Sequence, residues 1–254
     1  TIYGEGAYRC SRCGPVYPKV RPPSQLQARQ WEMRCPSCGR PAQTIPTSED
    51  CPLHPTSIYA ITKRDQEEMC LTIGRAYGIP TVVLRYFNIY GPRQALSNPY
   101  AGVAAIFSAR LLSGQPPVIY EDGLQSRDFI HVSDIVQANL LAMKSHRADY
   151  HALNVGTGVA TSVRRVAELL IRQLGSDQAP ELPGKFRPGD TRHCFADLTR
   201  IRQTLGFQPK VKFEDGIDEL VEWVKEQSAV VSKRKLTSAF DKMKREMAKK
   251  KMAR

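Results

Sequence analysis

Tyr59 and Lys63 stand four residues apart in Ser-Ile-Tyr-Ala-Ile-Thr-Lys. Four residues make about one helical turn, so a helix there sets a phenol and an ammonium side by side. A free phenol ionises near roughly pH 10, and a neighbouring cation is what base chemistry near neutrality requires of it. The same spacing occurs in any helix carrying a solvated Lys and a half-buried Tyr, so alone it does not choose between the two. A second reactive set lies upstream. Cys10-x2-Cys13 and Cys35-x2-Cys38 are separated by 21 residues, and each pair is followed by a glycine, Gly14 or Gly39. Four thiolates at this spacing close a tetrahedral site with no open position, which implies a structural zinc. Two disulfides are the alternative, and the lack of a secretory signal beside the cysteines weighs against them. Cys51, Cys70 and Cys194 stand alone and read as buried small residues.

The elements that must hold these groups alternate. After Pro52 and Pro55, residues 57–77 read as a helix with Thr56 or Ser57 as N-cap and Gly78-Ile79-Pro80 as its stop. Thr81-Val-Val-Leu-Arg-Tyr-Phe87 is β-rich. Helical segments are expected near 101–113, 133–145, 162–174, 197–205 and 214–227, and strands at 117–120, 128–131 and 151–155. This pattern is that of an α/β layer structure. Residues 7–45 read as an insertion: six prolines limit helices there, and the four cysteines supply what a small core does not. The expected organisation is an α/β domain over 1–228, a zinc ribbon at 7–45 within it, and a basic tail at 229–254.

Tyr59-x3-Lys63 is followed by Arg85-Tyr86-Phe87-Asn88, Ser126-Arg127-Asp128-Phe129-Ile130-His131-Val132-Ser133-Asp134, Asn154-Val155-Gly156-Thr157-Gly158 and Arg187-Pro188-Gly189-Asp190, with Thr1-Ile2-Tyr3-Gly4 ahead of them all. In this order the motifs resemble the extended short-chain dehydrogenases that act on nucleotide sugars, over roughly residues 1–9 and 46–227. Within that superfamily the chain is most similar to NAD-dependent 4-epimerases, and Gly91 through Tyr100 resembles the dTDP-L-rhamnose 4-epimerase group. The resemblance implies a Rossmann-like parallel sheet with a small substrate domain. It also implies a reaction in which a tyrosinate takes a proton from a sugar hydroxyl, the sugar is transiently oxidised to a ketone, and hydride returns on the other face. On that reading Tyr59 is the acid/base, and Lys63 tunes it and holds the nicotinamide ribose. Tyr86 and Asn88 join them around NAD, while Asn88, Asn98, Arg127 and Arg187 contact a nucleotide-diphosphate sugar. Guanidinium groups suit a diphosphate because they stay charged and offer paired donors. For each arginine taken separately, a surface ion pair is an equal explanation. His131 and Asp134 read as packing and capping residues, and Gly156-Thr-Gly158 as a turn.

The pattern departs from the family in two ways. No strand, Gly-rich turn and helix precede Thr1, so the expectation is a truncated enzyme, weakly active or inactive alone, or the C-terminal half of a split enzyme whose N-terminal half is a separate chain. Thr1 also occupies the place where related dehydratases and decarboxylases carry Glu, which favours epimerisation. A homodimer is expected of the complete enzyme.

The net charge of +12 is concentrated: residues 233–254 carry ten Lys/Arg against two acids, leaving only +4 for the first 232 residues. The body is therefore not a nucleic-acid binder by charge, and only the tail suits a polyanion. A competing function follows, a binding module for nucleic acid or protein built from the ribbon and the tail. No apolar run approaches the roughly 18–20 residues of a membrane span and no signal peptide is evident, so a cytoplasmic protein is expected.

Overall fold

The computed structural model of the protein describes residues 2–94 and 102–230. Asn98 and nearly all of the basic tail, with their expected roles, lie outside the described residues.

The helix that carries the phenol and ammonium, α2, runs Ile58–Tyr77 and follows a five-residue helix, α1, at Pro23–Gln27. Ser57 Oγ accepts the Ala60 amide at 3.1 Å, and Gly78 ends the helix in the left-handed region at φ 65°. The chain then enters the sheet at the strand expected within 81–87, and a second strand that was not expected follows at once. Strand β4 (Val83–Tyr86) pairs in parallel with β8 (Ala152–Val155), and β5 (Asn88–Tyr90) pairs in parallel with β7 (Phe129–His131). The switch falls at Phe87: its amide bonds Val155 O at 3.0 Å, and the next amide, from Asn88, bonds Asp128 O at 2.9 Å. Aromatic and branched residues lie on both sides of that point, so composition could not reveal a change of partner. A third sheet orders β10 (His193–Cys194), β6 (Ser126–Arg127) and β9 (Thr161–Ser162).

No strand forms at 117–120. Val118 makes one isolated bridge with Glu181, and the prolines at 116, 117, 180 and 183 deny a ladder its donors on both sides.

The remaining helices are α3 (Val103–Leu112), α4 (Val132–Met143), α5 (Val163–Leu174), α6 (Thr199–Leu205) and α7 (Phe213–Val230). Helices α3, α5 and α7 share one core around Phe107, Leu111, Leu170, Ile217 and Leu220, while Ile130, Leu153, Val155, Ile201 and Phe207 form a second core under the parallel pairs. As expected, His131 caps α4 by accepting the Ser133 amide. Asp134 serves a neighbour instead, accepting the amides of Lys210 and Val211 just ahead of α7 at 2.9 and 3.1 Å.

Residues 7–45 form an antiparallel sheet in the order β2-β1-β3, from β1 (Ala7–Cys10), β2 (Gly14–Val16) and β3 (Ala42–Ile45). Its own core is small: Tyr8, Cys10, Val16, Met33, Cys35 and Ala42.

Candidate functional site

Helix α2 buries only Ala60 and Gly74 and leaves Tyr59 two-thirds exposed. Lys63 Nζ sits 5.7 Å from the centre of the Tyr59 ring and donates to Gln66 Oε1 at 3.1 Å, so the pair that the spacing suggested is brought together. Its level against the sheet is fixed by Arg85 on β4, which grips Glu67 on α2 through Nε at 2.9 Å and Nη2 at 2.5 Å. Tyr59 lies eight residues before Glu67, about 12 Å further along the helix. Because α2 runs back to the start of β4, that direction leads past the carboxyl end of the strand, where parallel sheets present ligand sites. Tyr86 and Asn88 are exposed at that end; Tyr86 Oη donates to Asn139 Oδ1 at 2.9 Å.

Arg85 does more than set this level. Its Nη1 donates to Tyr3 Oη at 2.8 Å and to Glu49 O at 3.1 Å, Tyr3 Oη donates to Asn154 Oδ1 at 2.6 Å, and Glu49 Oε1 accepts the Asn154 amide at 2.7 Å. Burial drives the Tyr3 phenol well above its ordinary range, so it stays a neutral donor. This brace was not foreseen, although Arg85, Tyr3 and Asn154 each sit in a quoted motif.

The two arginines expected at a diphosphate meet at one loop. Arg127 donates to Ser126 O, Arg192 O and Thr191 O at 2.8, 3.2 and 2.6 Å and to Asp190 Oδ1 at 3.1 Å. Arg187, three residues before Asp190, places its guanidinium 4.7 Å from the centre of the Tyr120 ring. An open groove of about 440 Å³, lined in part by Lys19, His54, Thr56, Ile61 and Arg64, lies beside the start of α2. Ile61 and Arg64 face away from Tyr59 and Lys63 on the helix, so this groove is separate from the pair.

The four sulfurs of Cys10, Cys13, Cys35 and Cys38 all lie within 4.8 Å of one another. Gly14 and Gly39 follow in the left-handed region at φ 75° and 70°, as a turn that aims amides at sulfur demands. The amides of Arg12 and Cys13 lower the Cys10 thiol. Burial opposes ionisation of Cys35, but the amides of Ser37 and Cys38 and the neighbouring thiols bring it down to about 6. Cys13 runs the other way, pushed up to about 12 by Cys38 and Cys35, so what fits a cation here is the closeness of the four sulfurs. The lone cysteines divide: burial raises Cys194 to about 11 and raises Cys51, as inert residues require, whereas Cys70 is exposed, contrary to expectation.

In a comparison against known families, residues 36–156 match the NAD dependent epimerase/dehydratase family. Residues 36–156 belong to that family. The chain is 34% identical over 228 residues to the dTDP-L-rhamnose 4-epimerase of Burkholderia thailandensis, covering 89% of this chain and 61% of that protein. Among solved structures it resembles the UDP-glucose 4-epimerase of Thermotoga maritima with UDP-glucose, at TM-score 0.67 and 40% identity over 73% of this chain and 59% of that one. It also resembles the UDP-glucuronic acid 4-epimerase of Bacillus cereus with UDP-glucuronic acid and NAD, at TM-score 0.66 and 26% identity over 73% and 58%. The fold is therefore the Rossmann-like α/β fold of these epimerases, and the chain spans about three fifths of the length of these relatives.

The family implies NAD, and the residues present fit one end of it. Tyr59 and Lys63 are exposed, adjacent and beyond the carboxyl end of β4, as a partner for the nicotinamide ribose must be. A pyrophosphate needs free backbone amides at a Gly-rich turn. Neither Gly-x-Gly of the described residues offers one. At Gly156-Thr157-Gly158 the amides of Thr157 and Gly158 donate to the buried Asp128 carboxylate at 2.7 and 2.9 Å. Gly4-Glu5-Gly6 leads into a strand, and a Cβ on Gly4 would lie 2.1 Å from His54 O. Among the described residues, no helix is long and apolar enough to cross a membrane.

Proposed function

We propose that this protein takes part in the NAD-dependent epimerisation of a nucleotide-diphosphate sugar at C4. The observation that carries the reading is the Lys63 ammonium held 5.7 Å from the Tyr59 ring on an open face of α2. The Tyr59 Oη removes the proton from the sugar hydroxyl and later returns it, acting as general base and then general acid. Lys63 places a positive charge beside the phenolate and donates to the nicotinamide ribose. NAD, when bound, supplies the hydride acceptor that gives the same hydride back. Tyr86 and Asn88 border the cofactor; Asn88, Arg127 and Arg187 orient the diphosphate, with Asn98 from the segment outside the described residues. Relatives that are 4-epimerases of dTDP-L-rhamnose and UDP-glucose support the carbon assigned.

Cys10, Cys13, Cys35 and Cys38 hold a structural zinc, supported by the closeness of the four sulfurs. A homodimer is the proposed assembly, supported by the apolar exposed side of α2.

The test is conversion of UDP-glucose, UDP-galactose and dTDP-L-rhamnose by the protein in the presence of NAD, followed by chromatography of the nucleotide sugars. Tyr59→Phe should lower kcat by about 10²- to 10⁴-fold with little effect on KM. A Tyr59→Phe protein as active as the native one would remove Tyr59 from the chemistry. Binding of none of these sugars would remove the substrate class.

A further inference from the structure

The loop bearing Arg187 is clasped from outside by the cysteine-bearing segment. Four contacts make the clasp, all from residues that lie between the two cysteine pairs. The Trp31 ring packs on the Phe186 ring at 6.2 Å between centres. Arg21 donates to Trp31 O and to Asp190 O at 3.0 and 3.1 Å, while its two terminal nitrogens each bond Glu121 at 2.8 Å. The fully buried Arg192 donates to Asp122 at 2.7 and 2.9 Å, to Glu121 at 3.1 Å and to Glu32 at 3.0 Å. Glu32 reaches His193 Nε2 with its other oxygen at 3.1 Å.

Arg127 is held by the same loop, at Asp190, Thr191 and Arg192. Glu32 and Trp31 precede the buried Met33 and Cys35 in an irregular stretch whose one sheet-like contact is a bridge from Arg34 to Pro41. A core of six side chains is too small to order that stretch unaided, so its order depends on what joins the sulfurs.

We infer that the zinc-held segment is a positioning device for the substrate end of the site: through Trp31, Arg21 and Glu32 it fixes the Arg187–Arg192 loop, and with it the orientation of Arg127 and Arg187. The device rests on the proposed function only for what those arginines bind. Removing zinc frees Glu32 and Trp31, and the loop loses its outer wall. The helices α3, α5 and α7, whose core contains no residue of the segment, are unaffected.

Hydrogen–deuterium exchange of the full chain with one equivalent of zinc, and after its removal by a chelator, tests this. Zinc removal should speed exchange in residues 184–193, whose Arg192 and His193 amides donate to Glu5, and leave Leu169, Leu220 and Val224 unchanged. Glu32→Gln, with its cysteines intact, should speed the same loop in the zinc-loaded chain and weaken UDP binding about tenfold, the loss of one charge-assisted contact. Should the stripped chain lose protection throughout, the Glu32→Gln comparison decides alone. A chain that takes up no zinc, or a loop whose exchange ignores both changes, overturns the inference even if UDP affinity moves. A loop that responds in a chain that binds no UDP upholds the clasp and overturns the nucleotide-sugar reading of its arginines.

Discussion

At the scale of single residues, Glu32 shows how an exposed-looking acid acquires a task. Its side chain is more than half exposed, yet the hydrogen bond with His193 first, and then those from Arg192 against partial burial, hold its carboxyl down at about 2. The folded protein therefore binds fewer protons there than the unfolded chain, whose Glu titrates near 4.5. The stability Glu32 contributes is complete above that ordinary value and is lost as pH falls toward 2. Solvent screening keeps it small, under about 1 kcal/mol. Urea unfolding of the native protein and Glu32→Gln should differ at pH 7 and converge as pH falls through about 2. Parallel curves across that range would show that the carboxylate carries no linkage.

At the scale of elements, the pairing of Arg21 with Glu121 joins the cysteine-bearing segment to the α/β body through two side chains exposed by 1% and 3%. Glu121→Ala leaves Arg21 and Arg192 buried without this partner and should cost about 3–5 kcal/mol. Asp50→Ala breaks the bond to Arg200 from a side chain 79% exposed and should cost less than about 1 kcal/mol. Equal urea midpoints for the two variants would refute the distinction. The contrast comes from solvent: a charge in water recovers its hydration when its partner is removed, and a buried one does not.

At the scale of the molecule, Ile58, Met69, Ile73 and Tyr77 are all more than half exposed on α2, the last three on one side of its C-terminal half. Strand β4 pairs only with β8 among the described residues. A second copy covering that side of α2 would make Met69→Glu with Ile73→Glu shift the protein toward monomer by sedimentation velocity, with the α3–α5–α7 core still folded. An unchanged sedimentation coefficient would assign the cover elsewhere.

The sequence by itself determined what local chemistry dictates. Helix α2 was legible because Ser57 can cap it, Gly78 can end it and nothing between breaks it; the four-cysteine cluster was legible because two Cys-x2-Cys pairs each set their sulfurs close. The turn at 156–158 and the cap at His131 followed from short-range motifs as well. Only the tertiary structure decided the rest. The break at Phe87 depends on which strand each amide meets, and the absence of a strand at 117–120 on prolines in a segment some sixty residues away. Arg21 and Glu121 lie 100 residues apart and Glu32 and Arg192 160 apart, so each reads as an ordinary surface charge until the fold brings the partners together. Hydrogen bonds and ion pairs are short-range in space but indifferent to separation along the chain, and the clasp on the arginine loop exists only where the two coincide.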